Sequence, residues 1–180
     1  MLSTLRNAWK VPELRKRFLW TIFLVAIFRI GIHIPVPGID TSYLSSMTNS
    51  DGLLGFYNLI SGGALSKFSI FALSVSPYIN ASIIVQLLTI AIPSLEQLSK
   101  EGEEGRKKIQ SITRYASIAI GFVLAIGIYS MIAAQGAASG LGTAEKTVVL
   151  ISLVVGSTFC MWLGDQITQK GFGNGVSILI

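Results

Sequence analysis

The sequence predicts an all-α membrane protein, a polytopic bundle of transmembrane helices. Of its 180 residues, 51% are hydrophobic and only 13% are charged, which is about half the charged fraction of an ordinary soluble domain. The charges are bunched, so that uncharged windows of 28, 30 and 18 residues lie between positions 67 and 96, 114 and 145, and 146 and 165. Because a helix of about 20 residues crosses a bilayer core of about 30 Å, each window could span the membrane.

Five apolar segments follow one another along the chain, without the strand alternation of a barrel. They are expected at residues 18–34, 68–92, 115–134, 147–163 and 175–180. The first lies between a basic run at 15–17 and Pro35, and the fifth is still apolar where the sequence stops. Six residues cannot cross a bilayer. We therefore expect a cytoplasmic tail at 1–17, followed at 18–180 by the front part of a longer transmembrane domain.

Lysine and arginine residues are distributed unevenly between these segments. Five precede the first segment, one lies in 35–67, five lie in 94–114, one lies in 135–146 and one lies in 164–174. Since basic loops of membrane proteins stay on the cytoplasmic side, the pattern predicts a cytoplasmic N-terminus and a cytoplasmic loop at 94–114. The net charge of +5 then reflects orientation in the membrane rather than nucleic-acid binding.

The second segment is too polar for a plain membrane anchor. At 100° per residue, one face of a helix collects Val75, Ile79, Ser82, Gln86 and Thr89. This stripe is apolar toward the predicted outer end and polar toward the cytoplasm. Polar side chains at membrane depth face either a water-filled path or a neighbouring helix. The stripe alone is compatible with both.

A short, glycine-rich apolar stretch lies before the second segment, at about 52–66. Its length is typical of re-entrant or interfacial segments rather than of spans. We expect a helix from about Leu53 to Ile60, broken at Gly62 and Gly63. This helix would either fold back into the outer mouth of the bundle or lie flat on the outer surface.

Few residues of the spans could catalyse a reaction or hold a cofactor. Arg29 and His33 lie near the outer end of the first span, where snorkelling or pairing within the bundle accounts for them. Cys160 is the only cysteine, which excludes an internal disulfide and favours a buried apolar role. The glycine-containing stretches 100–108 and 171–175 lack the spacing of phosphate-binding loops. We predict no enzyme, metal site or cofactor. The alternatives, a secondary transporter or an intramembrane hydrolase, would need paired ionisable or nucleophilic groups at depth.

Seven stretches of the sequence, in order, resemble SecY, the family of bacterial protein-conducting channels. They are 28–31 (FRIG), 34–40 (IPVPGID), 61–66 (SGGALS), 76–88 (SPYINASIIVQLL), 100–106 (KEGEEGR), 161–168 (MWLGDQIT) and 173–177 (GNGVS). The resemblance implies a channel of ten spans in two pseudo-symmetric halves, of which this chain supplies the first four spans and the start of the fifth. It also implies a function: conducting unfolded secretory polypeptides and releasing transmembrane segments sideways into lipid through a lateral gate.

By position, the resemblance implies roles for individual residues. The aliphatic pore ring would include Val75, Ile79 and Ile180. The lateral gate would include the polar residues Ser82, Gln86 and Thr89. The plug, a re-entrant helix, would be built from Phe56, Tyr57, Leu59, Ile60, Ser61, Gly62 and Gly63. Ser74 and Val75 depart from the glycine and isoleucine of many members, and the smaller valine would widen the waist slightly.

Partners and location are implied in the same way. The expected partners are the subunits SecE and SecG, the C-terminal half of the channel, signal peptides, nascent polypeptides and membrane lipid. The SecA ATPase or a translating ribosome would drive transport, and no nucleic acid is expected beyond ribosome contact. Candidates for docking on the cytoplasmic side are Arg106, Lys107 and Lys108. The expected location is the bacterial plasma membrane.

Overall fold

The computed structural model describes residues 11–39, 53–134 and 142–180, and these residues are mostly helical. They form seven helices: α1 (Pro12–Gly31), α2 (Leu53–Ile60), α3 (Ser76–Ala91), α4 (Pro93–Lys100), α5 (Glu103–Ala134), α6 (Thr143–Lys170) and α7 (Gly175–Leu179). Within the described ranges the backbone forms no sheet, only an isolated bridge between Pro35 and Ser69. The prediction of an all-α bundle is confirmed. Most of the expected tail at 1–17 lies outside the described residues.

Two of the described helices, α5 and α6, are long and apolar enough to cross a membrane, and α3 with α4 adds a third if this bent pair is one span. The 32 residues of α5 and the 28 of α6 extend well beyond the predicted windows at 115–134 and 147–163. Helical hydrogen bonds do not depend on apolar side chains, so both helices continue through polar residues at their ends. Hydropathy therefore locates the membrane-crossing part of each helix and not its ends.

Helix α1 begins before the predicted span, at Pro12, and ends at Gly31. Proline suits a first turn, because the N–H it lacks would have no intrahelical acceptor there. At the other end, the ring of Phe71 occupies the place that a Cβ at Gly31 would take. The rings of Phe28 and Phe71 stack with centroids 5.7 Å apart. Glycine at position 31 thus allows α1 to pack closely against the segment that precedes α3.

Helix α2 covers the residues at which the sequence predicts a short helix. The chain then turns at Gly62 and Gly63, whose φ angles of +66° and +86° lie in the region that glycine adopts without strain. Asn58 ties the helix to the residues beyond the turn. Its Oδ1 accepts a hydrogen bond from the Ser66 N–H at 2.9 Å, and its carbonyl oxygen accepts one from the Gly63 N–H at 2.8 Å.

The segment 61–75, called the connector below, differs most from the predicted elements. The sequence predicts a span over 68–92, whereas α3 begins at Ser76 and the connector before it is a series of turns. Pro77 fits the late start of α3, because proline lacks the N–H that an interior helical residue would donate and is favoured in a first turn. Apolar composition correctly places the connector inside the protein but does not make it helical.

The connector is buried although it is not helical. Its backbone bonds to the chain that follows α1: the Val36 N–H donates to Phe68 O at 2.9 Å, and the Ile70 N–H donates to Ile34 O at 3.1 Å. Such bonds satisfy polar groups that would be costly to bury alone. The connector can therefore lie between two buried clusters. One joins it to α5 and α6 through Leu65, Phe68, Leu73, Ala125 and Leu153. The other joins it to α1, α6 and α7 through Leu24, Phe28, Phe71, Cys160, Leu163 and Leu179.

Ser74 is the residue of the connector whose replacement should stabilise the protein. Its φ is +50°, and its Oγ is buried without a hydrogen-bond partner among the described residues. Left-handed backbone costs about 1–2 kcal/mol when a Cβ is present, and an unsatisfied buried hydroxyl costs about 1–3 kcal/mol. We expect Ser74→Gly to raise the free energy of unfolding by about 1–2 kcal/mol in an SDS titration of the protein in mild detergent. Ser74→Ala keeps the Cβ and should gain less. A loss of stability in the glycine variant would contradict this account.

Candidate functional site

A cleft of about 370 Å³ lies between α3, α5, α6 and α7, and its wall is both polar and apolar. The lining residues are Tyr78, Ile79, Ser82, Ile83, Gln110, Asp165, Thr168, Asn174, Val176, Ser177 and Ile180. Two of the three predicted pore-ring residues, Ile79 and Ile180, thus line the same space. Ser82 of the predicted polar stripe lines it as well. This cleft is the part of the described structure where the sequence-predicted residues come together.

The start of α7 is fixed against α6 by hydrogen bonds and by a close approach of two backbones. Asn174 Oδ1 accepts hydrogen bonds from the N–H groups of residues 176 and 177 at 3.1 and 3.4 Å, which caps the helix. The Gly175 N–H donates to Thr168 Oγ1 at 2.9 Å. A Cβ at Gly175 would collide with the carbonyl oxygen of Gly164. Glycine is therefore required for α7 to start beside α6 and carry Ile180 to the cleft.

Val75 is placed differently from Ile79. It is 1% exposed, belongs to the buried cluster around Cys160, and is not among the residues that line the cleft. It precedes the first turn of α3, with a ψ of +6°. Helical phase, which groups Val75 with Ile79 in the sequence, therefore does not apply at position 75. Its membership of a pore ring stays a prediction.

The polar stripe continues along α3 away from the cleft. Gln86 is exposed and its Nε2 donates to Ser82 Oγ at 3.4 Å, while Thr89 Oγ1 donates to Gln86 O at 2.6 Å. These bonds are local to α3 and do not join it to another helix. The described contacts therefore leave this face of α3 available to a further element, and the gate role of the stripe stays a prediction.

An ion pair that the sequence analysis did not predict borders the cleft. Arg114 Nη2 of α5 lies 2.7 Å from Asp165 Oδ2 of α6, and Gln110 Nε2 donates to Asp165 Oδ1 at 3.4 Å. The carboxylate side chain is 9% exposed and the guanidinium side chain 40%. One signal was available: Arg114 and Asp165 each lie at the edge of one of the uncharged windows. The sequence could not show that the two side chains meet.

The predicted plug residues that the structure describes are not among the residues that line the cleft. Phe56 and Leu59 of α2 are exposed, and Ser61 is buried, while the side chain of Tyr57 lies outside what the structure describes. The guanidinium of Arg29 lies beside Gly62, since a Cβ there would be 3.0 Å from Nη1. His33 Nδ1 lies 3.0 Å from the carbonyl oxygen of Arg29, one turn earlier in the chain. Both residues are exposed, and His33 contacts the backbone of Arg29 rather than its guanidinium, so pairing of these two residues within the bundle stays a prediction.

The docking candidates Arg106, Lys107 and Lys108 are exposed near the start of α5. Lys108 Nζ lies 3.8 Å from a carboxylate oxygen of Glu101, and both side chains are largely exposed, so this pair contributes little stability. In the part of the chain that the structure describes, no three His, Cys, Asp or Glu residues are grouped to hold a metal ion.

The described helices share their fold with channel structures that have been solved. Two solved structures share it, "Sec61 in the Canine ribosome-channel complex from the endoplasmic reticulum" and "The structure of a protein conducting channel". Each has a TM-score of 0.67 and 21% sequence identity, and the match covers 92% of this chain and 35% of the other. At this identity the likeness concerns the fold alone.

Sequence comparison identifies the family: the chain belongs to SecY. The SecY family model matches residues 69–180. Relatives called protein translocase subunit SecY are 42% identical in Thermotoga maritima, 45% in Pseudomonas aeruginosa and 45% in Escherichia coli K12. These matches cover 100%, 99% and 93% of this chain, but only 44%, 41% and 39% of the relatives. The chain therefore spans about two fifths of their length. The resemblance found in the sequence is confirmed.

Proposed function

We propose that this chain forms the first half of the pore of a protein translocase. The whole subunit, meaning the chain together with the remainder that its relatives contain, conducts unfolded secretory polypeptides and releases transmembrane segments sideways into lipid. The observation that carries the proposal is the cleft that Ile79 and Ile180 line together. The names of the relatives, protein translocase subunits, support interpreting the cleft as half of a conduit. The remaining pore-ring residues would come from the rest of the subunit.

The proposed mechanism at the waist is physical rather than catalytic. Aliphatic side chains at a narrow point resist water and ions by dewetting and can move apart around a passing chain. Ile180 is 53% exposed and Ile79 is half-buried, so both have surface left for such contacts. Neutral polar groups such as Ser82 and Asn174 line the same cleft and can exchange hydrogen bonds with a moving polypeptide backbone. Val75 would join the ring after a local rearrangement of the residues before α3.

The proposed movements of the plug and of the gate depend on a flexible glycine turn and on helix contacts that can separate. Helix α2 is connected through Gly62 and Gly63, whose backbone freedom would allow it to swing away. Its exposed Phe56 and Leu59 would cover the mouth of the closed pore. The stripe Ser82, Gln86 and Thr89 makes its described bonds within α3, so a signal peptide could displace a neighbouring helix there without breaking them.

The proposal also includes the surroundings of the subunit. From the distribution of basic residues, the N-terminus and the start of α5 with Arg106, Lys107 and Lys108 face the cytoplasm of a bacterium. SecE and SecG would be companion subunits, and SecA or a ribosome would push the polypeptide. A ribosome is named in the description of one structure with this fold, which supports the second kind of motor. Lipid would surround the gate.

Site-specific crosslinking tests the conduit. In the whole subunit, a cysteine replaces Ile79, and a second cysteine is placed in a secretory polypeptide arrested during transit. We expect a disulfide between them that forms only when the arrested chain is present, because Ile79 lines the cleft. Ile84→Cys is the matched control, since Ile84 is an exposed isoleucine of the same helix that is not among the cleft-lining residues. It should crosslink far less.

Three outcomes would contradict parts of this proposal. Absence of a crosslink at positions 79, 75 and 82 during normal translocation would show that the stripe is packing rather than pore lining. Equal crosslinking at 79 and 84 would remove the assignment of one face of α3 to the conduit. Protection of the cysteine at 79 by a small solute, and not by a polypeptide, would replace the channel with a transporter.

A further inference from the structure

The ion pair beside the cleft joins two helices at a single partly buried point. Asp165 of α6 is nearly enclosed, and Arg114 of α5 approaches it to 2.7 Å while Gln110 contacts its second oxygen at 3.4 Å. A buried carboxylate is costly unless it is paired and hydrogen-bonded. The three residues therefore form one unit, and the loss of Arg114 would leave the carboxylate without its counter-ion.

The two charges of this pair are placed unequally with respect to the cleft. Asp165 is one of the lining residues and Arg114 is not. Among the described residues that line the cleft, Asp165 is the only one that carries a formal charge at neutral pH. The other polar groups there are hydroxyls and amides. The guanidinium thus neutralises, from outside the lining, the one fixed charge that a passing polypeptide would meet on this wall.

We propose that Arg114 is a specificity-determining residue: by neutralising Asp165, it keeps the rate of translocation through the cleft independent of the charge of the polypeptide. The inference rests on the proposed conduit function. Fixed charge in a narrow cleft acts strongly, because the low-dielectric walls focus its field. With Arg114 in place, acidic and neutral segments pass at similar rates. Without it, the wall carries a net negative charge and retards acidic segments.

The test compares two versions of one secretory precursor in the whole subunit. The versions differ only in a short internal stretch of aspartate or of glutamine, and the measured quantity is the ratio of their translocation rates. With Arg114→Gln, we expect this acidic-to-neutral ratio to fall by about threefold to fifteenfold, the range for two like charges about 10 Å apart at an effective dielectric constant of about 20, with and without salt screening. With Arg114→Lys, which keeps the charge, the ratio should stay near that of the unsubstituted protein.

Two double variants separate charge balance from a structural role. Arg114→Gln with Asp165→Asn removes both charges, and we expect the ratio to return to its original value. Arg114→Asp with Asp165→Arg preserves a pair but places the cation in the lining, so the ratio should rise above its original value. If Arg114→Gln does not fold, the swapped variant still tests the proposal, because it keeps an ion pair between α5 and α6. A merely structural tie between α5 and α6 would slow both precursors equally in every variant.

The outcomes distinguish this inference from the proposed function on which it rests. A ratio that is unchanged in Arg114→Gln and in the swapped variant, with both precursors transported, would overturn the role of Arg114 and leave the conduit intact. Failure of every precursor to pass the unsubstituted whole subunit would overturn the conduit itself.

Discussion

Replacing Phe68 by alanine is expected to lower the free energy of unfolding by about 3–5 kcal/mol, the range for removing a buried aromatic side chain. Phe68 is 0% exposed and belongs to the cluster that joins the connector to α5 and α6. The cavity would form where a non-helical segment is enclosed by two helices, and helices that already pack on each other cannot easily close it. An SDS titration of the whole subunit in mild detergent measures the loss.

Phe172→Ala is the matched control for this substitution. The side chain of Phe172 is 56% exposed, and the hydrogen bond that Phe172 makes to Thr21 uses its backbone N–H, which alanine keeps. The control should change stability by no more than about 0.5 kcal/mol, as is usual for surface positions. Similar losses at positions 68 and 172 would show that the connector is not a packed core of the molecule.

Gly156→Ala is the second substitution with a large expected effect, a loss of about 3 kcal/mol at the upper end of the range for overpacking. A Cβ at Gly156 would collide with the backbone carbonyl of Ile70. A backbone group cannot rotate out of the way as a side chain can, so α6 would have to separate from the connector. The same SDS titration measures the effect, and tryptic cleavage within the connector should become faster.

Replacing Gly127 of α5 by alanine is expected to have the opposite effect on the free energy of unfolding. No atom lies within 4 Å of the place where its Cβ would be, so Gly127→Ala gains helix propensity without a clash. Since glycine is disfavoured in a helix by about 1 kcal/mol relative to alanine, this variant should be as stable as the parent or more so. Stabilisation at both positions would mean that α6 does not approach the connector as closely as described.

The sequence predicted the helical class and the short helix before the glycine pair because these depend on local composition. Long uncharged windows identify α5 and α6, and a glycine pair ends α2 wherever the rest of the chain goes. The start of α3 could also have been predicted from the sequence, because Pro77 marks a first turn. The prediction failed there since apolar composition shows that a segment is buried and does not show that it is helical.

The candidate site was predictable only in part. Ile79 and Ile180 could be paired through the family resemblance, and the structure places both on one cleft. The burial of Val75 could not be foreseen, because helical phase assumes a helix and position 75 lies just before one. The contact between Arg114 and Asp165 joins residues 51 positions apart, and no periodicity links them. Such contacts depend on how α5 and α6 are turned toward each other.

The bend at Pro93 has a consequence for the lipid around the protein. Helix α3 contains 16 residues and is therefore about 24 Å long, whereas the hydrocarbon layer of a bilayer is about 30 Å thick. The turn of 101° into α4 prevents the next helix from adding to this length. Where lipid meets α3, hydrophobic mismatch favours local thinning of the bilayer. Under the proposed function, an apolar segment that left through a gate on this flank would enter a membrane thinner than its surroundings, where its own ends would be easiest to keep in water.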